Sequence, residues 1–140
     1  MTQQLEHILY TAYTHTTGGR EGTGSSSDGA LAVKLSTPGS NKPGTNPEQL
    51  FGVGYSACFI GAMQLAARKL DIRLPENTAV NADVSLGKTS ADAYALAVTL
   101  HIDLPGLHAD QKQQLVQTAH QTCPYSAAIR GNIEVTLLTA

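Results

Sequence analysis

Between Asn46 and Leu70 the chain reads NPEQLFGVGYSACFIGAMQLAARKL, its longest weakly charged run. From Phe51 to Leu65 almost every residue is apolar or small, so a helix here is buried on most of its sides. Such a helix belongs in the middle of a domain or at a subunit interface, and the rest of the chain must wrap it. Asn46-Pro47-Glu48-Gln49 supplies the start: Asn caps, Pro is tolerated at the first helical position, and Gln49 reaches back as in a capping box. The helix ends around Leu70, before Pro75. Gly52 and Gly54 each cost about 0.5–1 kcal/mol relative to Ala in a helix interior, so the pair predicts a break with a restart near Tyr55. The run also carries Cys58, one of only two cysteines.

The chain around this helix is short. Its 140 residues make one domain, residues 1–140, long enough for one proper core and not for two. Charged residues are 14% of the total, against roughly 25% in ordinary soluble domains. With so few charges to cover a surface, some apolar area is expected to meet a second copy of the chain in an obligate dimer. A net charge of −2 leaves no electrostatic footprint for nucleic acid or an anionic membrane. MTQQLEHILY lacks a basic start followed by an apolar core, and Phe51–Leu65 is too short to span a bilayer. The expected location is the cytoplasm, where two cysteines are more often catalytic or metal-bound than a structural bridge.

Periodicity divides the remainder. Residues 5–13 (LEHILYTAY) are rich in β-formers and read as a strand, residues 16–27 as a Gly/Ser-rich loop holding the single basic residue Arg20, and residues 30–36 as a half-buried strand after the Asp28-Gly29 turn. Residues 37–45 form a Pro/Gly loop into the central helix. Residues 80–86 alternate, and residues 92–104 carry the cleanest period-two signal, Tyr94, Leu96, Val98, Leu100, Ile102 and Leu104 against smaller or polar neighbours. Residues 107–122 read as an amphipathic helix ended by Cys123-Pro124, and residues 132–139 as a closing strand. The order β-β-α-β-β-α-β predicts an α+β domain.

Few chemistries fit. The five histidines (His7, His15, His101, His108, His120) show no metal-binding spacing, so no metal is expected. GxSxG and the phosphate-binding GxxxxGK[ST] are both missing. Thiol chemistry is left. Cys58 and Cys123 lie 65 positions apart, which rules out a local CxxC motif without forbidding a bridge. On composition alone, inert packing and reactive thiols weigh about equally.

Four stretches in order shift that balance: GGREG with Arg20, NPEQLF with Glu48, GYSACF with Cys58, and TCPYSAAIRGN with Cys123. Together they resemble the organic hydroperoxide resistance (Ohr) branch of the Ohr/OsmC family, and the likeness runs over nearly the whole chain. The resemblance implies an OsmC-like fold, with antiparallel sheets around a central buried helix in an intertwined homodimer. It also implies a thiol-dependent peroxidase acting on organic hydroperoxides. Cys58 would be the peroxidatic residue and Cys123 the resolving one. Arg20 would position thiolate and peroxide, and Glu48 would orient Arg20. Reduction would come from an external dithiol, the dihydrolipoyl group of a lipoylated protein, with no bound cofactor. The competing readings are an OsmC-type peroxidase of different substrate breadth and a non-catalytic redox-sensing module.

The residue types suit these roles. A thiol among apolar neighbours is little ionised unless a cation stands beside it, and guanidinium keeps its charge in such a place. A carboxylate set directly against the thiolate would repel it, so Glu48 is expected to act by holding the guanidinium fork. One constraint is geometric. In an unbroken helix Glu48 and Cys58 stand about 15 Å apart along the axis. They can share a site only through a break at Gly52–Gly54, the expectation taken here, or by one of them coming from a partner chain.

Overall fold

Residues 2–140 are described by a computed structural model, in which contacts group into two compact units, one ending at Pro47 and one running from Glu48 to Ala140. In the first, β1 (Thr14–Thr17), β2 (Thr23–Ser26) and β3 (Ala32–Lys34) form an antiparallel sheet in that order. The Asp28-Gly29 turn closes β2 onto β3. The Asp28 carboxylate accepts from the Ser26 hydroxyl at 2.6 Å and the Ala30 N–H at 2.9 Å, while Gly29 takes the left-handed φ of 76° that the turn needs.

Two expectations for this unit fail. Residues 5–13 form no strand, although their β-forming side chains led to that reading. Leu9 is 96% exposed and Leu5, Ile8, Tyr10 and Tyr13 are exposed with it. A strand forms where a neighbour covers one of its faces, and one copy of the chain provides none here. Residues 16–27 are not a loop either: they hold the end of β1, the 3-10 turn Gly19–Glu21 and all of β2.

The second unit holds three helices and a three-stranded sheet. α1 (Pro47–Leu70) starts with proline in the first helical position, and its buried residues Gly52, Tyr55, Phe59, Ala62, Met63, Ala66 and Ala67 recur every three or four positions. β4 (Ala79–Lys88) pairs antiparallel with β5 (Tyr94–Asp103) over ten registered positions, and β5 turns Val98, Leu100 and Ile102 inward. β6 (Glu134–Thr139) lies on the other side of β5 and runs parallel to it, the one departure from the expected antiparallel pairing among the described strands. Parallel neighbours need a crossover, and α2 (Ala109–Thr122) with α3 (Pro124–Ile129) provides it. α3 is absent from the sequence reading, which took Pro124 only as a stop. Cys123, with an extended ψ of 122°, ends α2 and starts α3, so Pro124 is the first residue of a new helix.

α1 corrects the sequence reading in three ways. At 24 residues it is long and apolar enough for a bilayer span, yet its buried stripe packs in the core with β5 and α2. It is buried along one stripe rather than on most of its sides, since Val53 is 73% exposed and Leu65 is exposed with it. Above all, it does not break at Gly52–Gly54. Both glycines keep helical backbone and serve close approach: a Cβ on Gly52 would meet Val84 Cγ2 at 3.4 Å and Ala82 Cβ at 3.7 Å, and one on Gly54 would meet the Tyr125 hydroxyl at 3.4 Å. Gly52→Leu is therefore expected to destabilise the fold by about 1–3 kcal/mol through overpacking against β4, measured as a lower urea midpoint at unchanged m-value.

Candidate active site

Two helices meet in successive contacts. Cys58 projects from α1 and is half-buried, while Cys123, at the start of α3, is fully buried. Both are free thiols, and Cys123 donates to the Cys58 sulfur at 3.3 Å. A disulfide bond is about 2.05 Å long, so roughly 1.3 Å of approach separates this pair from a bridge. Burial pushes the Cys58 thiol above its ordinary value of 9.0, and the contact with Cys123 pushes the same way. The backbone N–H of Tyr125, in the first turn of α3, hydrogen-bonds the Cys58 sulfur and opposes that rise.

One helical turn away on both helices is a second, polar contact. The Tyr55 and Ser126 hydroxyls, both fully buried, are 2.6 Å apart. Ser126 Oγ also lies 2.9 Å from His120 Nδ1, and the Arg130 guanidinium donates to the His120 carbonyl. Burial first, and the Arg130 charge second, hold His120 below its ordinary 6.5 and so neutral at pH 7. In the tautomer with Nδ1 unprotonated, neutral His120 accepts a hydrogen bond from the Ser126 hydroxyl, and Ser126 in turn accepts from Tyr55. Phe51, Tyr55, Phe59 and Tyr125 pack ring to ring, with centroids 5.8 to 6.4 Å apart, and wall this region with apolar surface.

Arg20 belongs to the first unit, in the 3-10 turn between β1 and β2. Glycines set that turn. Gly18 has a φ of 74°, and a Cβ on Gly22 would fall 1.7 Å from the Thr17 carbonyl oxygen. The Glu21 carboxylate accepts from the Thr37 hydroxyl at 2.5 Å, tying the turn to the loop after β3. Glu48 lies in the first turn of α1. Because α1 is continuous, Glu48 stands about 15 Å along the axis from Cys58. Of the four residues named from sequence, the structure brings Cys58 and Cys123 together, and the expected route for Glu48 through a broken helix does not exist.

Tyr55, Ser126 and His120 were not picked out as functional from the sequence. Reading Pro124 as a helix start would have exposed them. It puts Ser126 one turn from Cys123, just as Tyr55 is one turn from Cys58.

The same arrangement of elements recurs in known proteins. A family model described as OsmC-like protein matches residues 39–138. The organic hydroperoxide resistance protein of Xanthomonas axonopodis pv. citri is 49% identical over 139 residues, covering 96% of this chain and 97% of that protein. OhrA of Bacillus subtilis is 46% identical, covering 97% and 99%. Among solved structures, OhrB of Bacillus subtilis superposes with a TM-score of 0.89 at 39% identity, covering 95% of this chain and 100% of that one. An organic hydroperoxide resistance protein of Vibrio cholerae with captopril bound in one of its active sites gives 0.89 at 38%, covering 97% and 95%. Sequence and fold agree over nearly the full length, and the chain belongs to the OsmC-like family, in its organic hydroperoxide resistance branch.

Proposed function

We propose that the protein is a thiol peroxidase that reduces organic hydroperoxides to alcohols in the cytoplasm. The contact that carries this reading is the 3.3 Å approach of a half-buried Cys58 to a fully buried Cys123. The relatives' names, organic hydroperoxide resistance proteins, supply the substrate class. The Cys58 thiolate attacks one peroxide oxygen, the O–O bond breaks, and the alkoxide leaves and takes a proton to become the alcohol. Cys58 is left as a sulfenic acid. Cys123 then attacks that sulfur, forming the disulfide and releasing water. A dithiol attacks the bridge at Cys58, the sulfur solvent can reach, gives up two electrons and leaves as its own disulfide while both protein thiols are restored. Dihydrolipoyl groups on a lipoylated protein fit that role, and no cofactor needs to be bound.

Arg20 supplies the positive charge that Cys58 needs, because burial otherwise holds the thiol protonated. Glu48 orients that guanidinium by a bidentate contact. With α1 unbroken, the Glu48 serving a given Cys58 comes from a second copy of the chain in a homodimer. Exposed Val53, Leu65, Leu5, Ile8 and Leu9 are apolar surface for such a partner to cover.

Peroxide consumption with dihydrolipoamide, thioredoxin or glutathione tests the reading. Multiple turnovers of tert-butyl and fatty-acid hydroperoxides with dihydrolipoamide are expected, with hydrogen peroxide and the other two reductants at least about tenfold slower. A single stoichiometric oxidation with no turnover under any reductant would point instead to a redox sensor.

A further inference from the structure

We propose that Ser126, gripped between Tyr55 and His120, is a positioning residue that fixes Cys123 for the resolving step and so protects Cys58 from over-oxidation. This rests on the peroxidase reading above. The observation is the pairing of two contacts between the same two segments. Tyr55 touches Ser126 at 2.6 Å and Cys58 touches Cys123 at 3.3 Å, and the two members on each segment are three positions apart. Side chains three apart on a helix stand about 5–6 Å from one another, so the hydroxyl pair is a fixed point one turn from the sulfur pair.

The sulfur pair must move and the hydroxyl pair need not. Bridge formation draws the two sulfurs together by roughly 1.3 Å, against a core that transmits strain. α3 is only six residues long, from Pro124 to Ile129, and its Tyr125, which packs on Phe51 and Tyr55 and donates its N–H to the Cys58 sulfur, meets α1 alone in these contacts. What anchors it to α1 and α2 together is Ser126, whose single hydroxyl meets Tyr55 on one and His120 on the other. All three polar atoms are satisfied by each other, so removing one leaves a buried partner unpaired. Arg130 braces the far end by donating to the His120 carbonyl.

This arrangement bears on one chemical branch point. The Cys58 sulfenic acid either condenses with the Cys123 thiol, giving the disulfide and water, or is attacked by a second hydroperoxide, giving the sulfinic acid and an alcohol. The first route depends on where the Cys123 sulfur is held, and the second does not. Loosening the Ser126 contacts therefore shifts the partition toward sulfinic acid without slowing the first oxidation.

The experiment follows Cys58 by rapid quench and intact mass after mixing reduced protein with tert-butyl hydroperoxide. Variants are Ser126→Ala, Tyr55→Phe, His120→Leu and His120→Asn, the last retaining an acceptor near the place of Nδ1. The first oxidation is measured separately in a Cys123→Ser background. Ser126→Ala, Tyr55→Phe and His120→Leu are expected to oxidise Cys58 within about twofold of the wild-type rate. Their sulfinic fraction per turnover should rise about tenfold, and His120→Asn should return most of the way to wild type. Tyr55→Phe keeps the ring packing, so it decides the matter if Ser126→Ala does not fold. An unchanged sulfinic fraction in folded Tyr55→Phe and His120→Leu would overturn the positioning role. Failure of wild-type Cys58 to oxidise at all would instead overturn the peroxidase reading.

Discussion

Replacing Cys58 by Ser is expected to reduce organic hydroperoxide turnover to the uncatalysed background, a loss of at least about a thousandfold. A serine hydroxyl does not ionise in a buried site, and its oxygen cannot form the sulfenic acid on which every later step depends. The fold should survive, since Cys58 is only half-buried and the swap nearly conserves volume. Peroxide consumption with dihydrolipoamide reads the effect, and substantial turnover in a folded Cys58→Ser variant would end the mechanism at its first step. Arg20→Met refines the same prediction. Burial holds the Cys58 thiol above its ordinary 9.0, so its reactive thiolate becomes scarcer as the pH falls. Without the guanidinium only the Tyr125 N–H opposes that rise. Activity of Arg20→Met at pH 7 should fall and recover toward alkaline pH, with the rate–pH midpoint displaced upward from that of the wild type.

Patterned segments were the legible part of the sequence. β5 was visible because its inward residues Val98, Leu100 and Ile102 alternate without interruption, and α1 because an apolar run that long has few other solutions. Its start at Pro47 followed from the proline. What failed failed for want of a neighbour. Leu5 to Tyr13 have strand-forming side chains, but strands are made by pairing, and the exposure of Leu9 shows that one copy supplies no cover. Gly52 and Gly54 were read by backbone cost alone. Their use became plain only with Val84, Ala82 and Tyr125 set against them, where helix–sheet and helix–helix approach outweighs about 1 kcal/mol of propensity each. The cysteine pair was found through its motifs. The Tyr55–Ser126–His120 chain was not, because it has no spacing of its own until α3 is known to begin at Pro124.

The continuity of α1 leads to a prediction that neither the motifs nor one chain's geometry states. If Glu48 acts on the Cys58 of its own chain, every site in a mixed dimer of Cys58→Ser and Glu48→Ala chains lacks one of the two residues. Mixing the variants then yields no more than half the activity of Glu48→Ala by itself. If Glu48 reaches across to the partner's Cys58, as proposed above, each mixed dimer holds one site with both residues and one with neither. Random reassembly makes half the dimers mixed, so about a quarter of all sites become whole again. The expected result is that two separately weak proteins, unfolded together and refolded, regain about a quarter of wild-type turnover. Glu48→Ala alone should fall by about tenfold or more, because Arg20 loses the carboxylate that fixes its fork. Differently tagged chains, purified in two steps to give only mixed dimers, sharpen the comparison to about half of wild type. A mixed dimer with no gain over its parents would return Glu48 to its own chain. That would leave it in the first turn of α1, about 15 Å along the axis from Cys58, where its charge also favours the helix N-terminus.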